Sequence, residues 1–354
     1  MPGKLFQYLH RLFRANEIRL HELSYLFWEC TRRCNLRCLH CGSDCSAGSA
    51  RGDMPFGDFL RAILPLKKAY PPNTITVVIT GGEPLLRGDL PQCGRALREH
   101  GFRWSIVTNG YAYTPDVHAR LLAAGMGAIT LSLDGLEDAH SWLRSSTRSF
   151  ANALKAIELI TASKRLCYDI VTCVNRKNIN TLPELKELLI SKKVAAWRLF
   201  TIAPIGRAKG NDDLQLTPQE LTQLMDFIAG ARADRRIDAK LSCEAYVGAH
   251  EKRVRDAPFF CRAGVTIASV LADGSIAACP NINRHFVQGN IYRDSFLDVW
   301  SNRFEVMRNR RWTRTGICAR CSDYKRCNGG AMHLWSERQD AILTCINQKM
   351  LHSA

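Results

Sequence analysis

Strand-like and helix-like periods alternate through most of this chain, and that alternation constrains the fold more than any other feature. Short β-branched runs occur at 74–80, 103–108, 128–133, 168–174 and 196–200, and an apolar run at 25–28 precedes them. Between them lie amphipathic stretches such as 56–69, 115–124, 150–163 and 181–191. Strands that alternate with helices take right-handed crossovers and form a parallel sheet. Six such units predict an α/β fold, a partial (β/α)6 TIM-like barrel that stops short of closure. Ligands of such sheets gather at the carboxyl ends of the strands. With 354 residues and 46% hydrophobic content, the chain can bury one large core and a smaller module besides.

The loop after the first run carries Cys34, Cys38 and Cys41 in the spacing C-x3-C-x2-C. Buried free cysteines often serve only as small hydrophobes, and C-x2-C pairs often bind structural zinc. The stretch 31–43 is polar and basic, with Thr31, Arg32, Arg33, Asn35, Arg37 and His40, which argues against a core role. A fourth zinc ligand would have to come from Cys30, Cys45 or His40, none of which makes a second pair at zinc-finger spacing. Three thiolates can instead hold three irons of a cubane cluster and leave the fourth iron open to a chelating ligand.

Other candidates fall at strand ends. Gly81-Gly82-Glu83-Pro84 follows the second run, where glycines let a ligand approach the backbone and a carboxylate can accept from an ammonium group. Glycines there also serve as plain turns. The third run ends in Thr108-Asn109-Gly110 and the fourth in Ser132-Leu133-Asp134-Gly135, followed by His140 and Arg144. Alternation points Ser132 and Asp134 to one side, and an arginine fork can pair with a carboxylate.

The cysteine triad with His40 before its last member resembles the signature of the radical SAM superfamily. The resemblance implies a 4Fe-4S cluster held by Cys34, Cys38 and Cys41, with S-adenosylmethionine (SAM) chelating the open iron. Reduction would then cleave SAM to methionine and a 5'-deoxyadenosyl radical. Gly81, Gly82, Glu83 and Pro84 resemble the family's GGEP motif, which implies contact with the methionine amino group. Ser132 and Asp134 are carried over as ribose or sulfonium neighbours and Arg144 as the carboxylate partner. Asn109, Asn175 and the run Pro204-Ile205-Gly206-Arg207-Ala208 also fit the pattern of the peptide-modifying members.

Thr217-Pro218-Gln219-Glu220 is a capping box with proline at the first helical position, so a helix is expected from there to about Gly230. Beyond it, Cys261-x12-Gly274-x4-Cys279 resembles the hairpin half of the SPASM extension, with Asp273-Gly274 as the tight turn. Cys318-x2-Cys321-x5-Cys327 and then Cys345 supply four more thiols, for which structural zinc is the competing reading. The SPASM pattern has a further cysteine where this chain has Ala331, a ligand of the first auxiliary cluster by resemblance. The implied cofactors are therefore one or two auxiliary iron-sulfur clusters, the first drawing on Cys261, Cys279 and Cys243. Cys30, Cys45, Cys93, Cys167 and Cys173 are read as structural or loop thiols.

The resulting division is 1–24, a basic amphipathic segment; 25–211, the radical SAM core; 212–260, a linker helix region; and 261–354, a small cysteine-rich α+β SPASM domain. The first segment is expected to cap the first strands in preference to binding a membrane surface, and it lacks a signal-peptide cleavage site. No apolar run is long enough for a transmembrane helix. Fifteen cysteines in a chain of this length suit a metal protein of the reducing cytoplasm better than a disulfide scaffold. The net charge of +16 is dispersed, without the basic stripe of a nucleic-acid binder. The resemblance implies hydrogen abstraction from a peptide or protein and an electron donor such as flavodoxin or ferredoxin. A subgroup encoded beside small lipoproteins suggests a small lipoprotein precursor as substrate. The rival readings are a tetrapyrrole or other small metabolite as substrate, and a non-catalytic binding module.

Overall fold

The computed structural model describes residues 4–48, 52–242, 244–336 and 341–351. Seven strands run parallel in chain order: β1 (Tyr25–Glu29), β2 (Thr76–Thr80), β3 (Arg103–Thr108), β4 (Ala128–Ser132), β5 (Cys167–Val174), β6 (Ala196–Thr201) and β7 (Asp238–Leu241). The first six match the expected runs to within two residues at either end. The seventh extends the sheet beyond the six units expected, pairing in parallel with β6 from Asp238 to Leu241. Its sequence, DAKL, turns only Ala239 and Leu241 inward, too little apolar pattern to be read as a strand. Helices cover the outer face, as a curled parallel sheet requires. Packing is close where they meet it. A Cβ on Gly94 would lie 2.2 Å from the Trp104 ring, so only glycine lets the helix Leu90–Glu99 approach β3.

The C-terminal part joins the same sheet. β8 (Ile267–Val270) pairs in parallel with β1, with Tyr25 opposite Ile267. β9 (Ser275–Ala277) returns antiparallel to β8 through the Asp273-Gly274 turn, where Gly274 has φ of +82°. β10 (Gly289–Asn290) completes a ten-stranded order β10-β9-β8-β1-β2-β3-β4-β5-β6-β7. Two aromatic pairs, Trp300–Phe304 and Trp312–Trp335, extend the main core into the C-terminal part.

The first helix, α1 (Lys4–Leu20), does more than cap strands. Its Arg14 is 9% exposed and donates to the carbonyls of Lys325 and Arg326, at 2.7 and 2.8 Å, so the helix is fastened to the C-terminal domain.

Candidate active site

The loop from Cys30 to Ser46 stands at the carboxyl end of β1 and is gripped from three sides. From β2, Gly82 N donates to Thr31 O (2.8 Å) and Glu83 N to Arg33 O (2.9 Å). A Cβ on Gly81 would fall 2.2 Å from Thr31 O, and one on Gly82 2.1 Å from Arg33 O. These glycines thus admit the cysteine loop's own backbone, where the sequence suggested approach of a ligand. From β6, Arg207 donates its Nε to Cys38 O (2.7 Å) and Nη1 to Cys45 O (2.9 Å), while Gly206 (φ +56°) lies against the Cys41 and Gly42 carbonyls. From β3, Asn109 Nδ2 donates to Asn35 Oδ1 at 2.8 Å.

Cys34 and Cys38 are buried and Cys41 is half-buried. The three sulfurs lie within electrostatic reach of one another: burial, then the charges of Cys38, Glu83 and Cys41, push the Cys34 thiol up to about 11. Cys41 behaves oppositely. The Cys45 thiol donates to it, and the Cys45 N–H points at its sulfur from 3.5 Å, so its own proton is held less tightly. Three converging thiols on a loop whose carbonyls are already bonded fit a metal cluster better than a hydrophobic core. Cys45, read from sequence as a loop thiol, belongs to this site.

Beside the loop, Asp134 and Arg144 form a fully buried ion pair, with Arg144 Nε donating to Asp134 Oδ2 at 2.5 Å and Arg144 Nη1 3.6 Å from Cys38 Sγ. Asp134 Oδ1 accepts from Cys173 N (2.9 Å). Burial, the largest single influence, would raise this carboxyl's pKa; the Arg144 charge and hydrogen bond together with the neighbouring His40 and His140 outweigh it and hold the pKa at about 2. The guanidinium is in turn held above its ordinary value against the burial that opposes it, chiefly by Asp134. Burial keeps His40 and His140 neutral, both lowered to about 4. His140 Nδ1 accepts from Asp134 N at 3.0 Å.

His40, Asp134 and Cys173 bring one ligand atom each within 4.8 Å of one another, yet both Asp134 oxygens already accept protein donors. Cys173, read as structural, is therefore part of this wall. Its signal in sequence was its place near the end of β5.

Glu83 is 1% exposed and its carboxylate is fully engaged. It accepts from Leu85 N (3.1 Å), Thr108 Oγ1 (2.7 Å) and Asn109 N (2.8 Å). It braces the ends of β2 and β3, so the ammonium-accepting part expected for it would cost existing bonds. Asn175 is likewise spent on its own turn, with Oδ1 accepting from Lys177 N at 2.9 Å. Ser132 is buried at the end of β4 on the same side of the sheet as Asp134. Pro84 opens a short 3-10 turn behind the brace. The structure thus brings Gly81, Gly82, Glu83, Asn109, Asp134 and Arg144 around one cysteine loop.

Two further features line the mouth. At the ends of β6 and β7, Glu244 Oε2 accepts from Thr201 N (2.6 Å) and Oγ1 (2.8 Å), and burial pushes its carboxyl up to about 7. It lines a pocket with Gln215, Leu216, His333 and Lys349, in which Gln215 Nε2 is buried without a partner. Sequence reading missed Glu244, which sits in no motif.

In the C-terminal domain Cys318, Cys321, Cys327 and Cys345 also lie within one another's fields. Burial first, then these neighbours, lift Cys318 to about 11 and Cys327 to about 12. Such a set of four free thiols can hold a cluster. Cys261 sits apart from them, with Arg310 lowering its pKa against burial and the Met332 N–H directed at it. The fully buried Ala331 precedes Met332, so the position lacking a thiol adjoins Cys261. Cys279 is half-buried on the other arm of the hairpin, and Cys243 lies outside the described residues.

A parallel partial barrel with a three-thiol loop at its mouth and a cysteine-rich domain on its first strand defines a class of iron-sulfur enzyme. Residues 28–189 match the radical SAM superfamily and residues 261–322 match the SPASM iron-sulfur cluster-binding domain. The mycofactocin maturase MftC of Mycolicibacterium smegmatis is 30% identical over 316 residues, spanning 87% of this chain and 77% of the relative. The AdoMet-dependent heme synthase of Nitratidesulfovibrio vulgaris is 25% identical over 322 residues, 85% of each chain. Among solved structures, native anSMEcpe with bound AdoMet superposes with a TM-score of 0.72 at 19% identity, covering 94% of this chain and 95% of that one. Streptococcus suis SuiB bound to precursor peptide SuiA gives 0.69 at 18%, covering 93% and 77%. The chain belongs to the radical SAM superfamily and carries a SPASM domain. Its cofactors are a SAM-binding 4Fe-4S cluster, SAM and one or two auxiliary iron-sulfur clusters.

Proposed function

We propose that this protein oxidatively modifies a peptide or protein by abstracting a hydrogen atom from a substrate carbon. The observation that carries the reading is the 30% identity to the mycofactocin maturase MftC over 87% of the chain. Solved structures of the same fold hold peptides, among them anSMEcpe with bound AdoMet and Cp18Cys peptide. When bound, the cluster and SAM supply one-electron reduction and a carbon radical strong enough to break an aliphatic C–H bond.

The chain's own residues do the positioning. Cys34, Cys38 and Cys41 would hold the cluster, with Cys45 donating to one of its sulfurs. Ser132, Asp134, Arg144 and Asn109 would bound the SAM site, Arg144 as its fixed cation. Cys318, Cys321, Cys327 and Cys345 would hold an auxiliary cluster, whose chemistry is one-electron transfer. Substrate would approach from the carboxyl ends of the strands, where Glu244 and Gln215 face the C-terminal domain. The cytoplasm, an electron donor such as flavodoxin or ferredoxin, and a small lipoprotein precursor as substrate belong to the same proposal, as does the division at 25, 212 and 261.

A second reading, a carboxylated tetrapyrrole as substrate, draws on the +16 charge and the heme synthase relative. The deciding experiment measures 5'-deoxyadenosine release by anaerobic, reconstituted protein given SAM and dithionite. A peptide fraction from the native host is compared with iron-coproporphyrin. Stimulation by peptides, with a mass change in one of them, supports the proposal; stimulation by the porphyrin alone overturns it. Loss of SAM cleavage is expected when Cys34, Cys38 and Cys41 are all replaced by Ala.

A further inference from the structure

Helix α1 wears its two faces the wrong way round for a helix that packs on a core. Surface helices turn their apolar stripe inward. Here Arg14 faces the protein and Glu17 Oε2 meets Arg262 Nε at 3.4 Å, while Leu5, Tyr8, Leu9, Leu12 and Phe13 are 47–70% exposed. Those five stand at i, i+3, i+4, i+7 and i+8, one continuous stripe. The outward orientation is fixed, because the two Arg14 bonds to Lys325 and Arg326 clamp the opposite face.

We propose that α1 is an interfacial anchor that lays this protein flat on an anionic lipid surface, with the stripe entering the headgroup boundary. Charge favours that occupant. Arg11 and Arg19 are exposed on the helix, its single acid, Glu17, is turned to Arg262, and the whole chain carries +16. Basic residues flanking an outward apolar face are what a bilayer with acidic lipids selects. A second copy of the chain suits the surface less well. One stripe of about two and a half turns falls short of the roughly 800 Å² per partner that a stable dimer buries, and a two-fold axis through it would bring like-charged arginines together.

Among the described residues no helix is long and apolar enough to cross a membrane, so α1 lies on the surface and does not span it. The placement leaves the chemistry free. The C-terminal end of α1 adjoins the amino ends of β1 and β8, where Tyr25 N bonds Thr266 O, and the cysteine loop opens at the opposite ends of the strands. This inference does not rest on the substrate reading.

The test uses the full chain, purified anaerobically and floated with vesicles of phosphatidylcholine, with and without phosphatidylglycerol, at low and high salt. Flotation with the phosphatidylglycerol vesicles is expected, weakened by salt and by Arg11→Glu with Arg19→Glu. Leu9→Glu with Phe13→Glu should lower partitioning about tenfold or more while leaving iron content and melting temperature unchanged. The proposal is overturned by absence of flotation, by equal binding to uncharged vesicles, or by flotation that survives the Leu9/Phe13 change. A wild-type dimer in light scattering that the same change dissolves would overturn it too, in favour of a second copy.

Discussion

Asp134 is 0% exposed, and Arg144 is the strongest of the neighbours that keep it charged against burial. Asp134→Asn would strand a buried guanidinium, and a loss of about 3–5 kcal/mol is expected in anaerobic urea unfolding. The acid limb of stability follows from the same pair. The carboxyl's ordinary value of 3.8 drops to about 2 in the fold, so its contribution, about 2 kcal/mol, is complete above about pH 5 and is lost as the pH falls through 2. The Asn variant should lose that part of the pH profile. Gly82 is constrained by space: Gly82→Ala places a methyl 2.1 Å from Arg33 O, so the cysteine loop must shift. Iron retention should fall at least severalfold, read by iron assay after reconstitution. Both residues were singled out in the sequence, as was Arg144, but the contacts that join one strand end to the next were not. Nothing in GGEP says that Glu83 faces Thr108 and Asn109, because that contact joins two strand ends across 25 residues of chain.

At the scale of elements, the capping box formed as read: Thr217 N donates to Glu220 Oε2 (2.7 Å) and Glu220 N to Thr217 Oγ1 (3.2 Å). The helix it starts, Pro218–Asp234, overruns the expected end at Gly230 by four residues, since nothing near that glycine forces a stop. Thr217→Ala is expected to cost about 1 kcal/mol, seen as a lowered melting temperature without loss of iron. Strands legible in sequence were those with β-branched runs. β7 was illegible, because sheet pairing with β6 and cover by the helix before it stabilise four residues of mixed polarity. The inverted faces of α1 were also illegible: hydrophobic periodicity reports that a stripe exists, not which side of the helix meets the protein.

For the whole molecule, the gap at Ala331 is the clearest departure from the SPASM pattern. Its neighbour in space is Cys261, so Ala331→Cys would set two thiols together where one now stands. If the first auxiliary site is incomplete for want of that ligand, iron per chain should rise by up to about four in the variant. An unchanged count would mean that the site is already filled or that Ala331 lies outside it. Removing iron with a chelator should lower the stability of the entire chain, since ligand sites of this kind contribute directly to folding.

That coupling has a structural origin in the pairing of β8 with β1. Tyr25 opposite Ile267, through Trp28 opposite Val270, makes the last quarter of the chain a continuation of the barrel's own ladder. A ladder cannot stretch: its spacing is set by hydrogen bonds, about 4.8 Å from strand to strand. The position of the C-terminal hairpin against the cysteine loop at the end of β1 is therefore a ruler built into the backbone, and a one-residue slip at this seam would turn every β8 side chain to the other face.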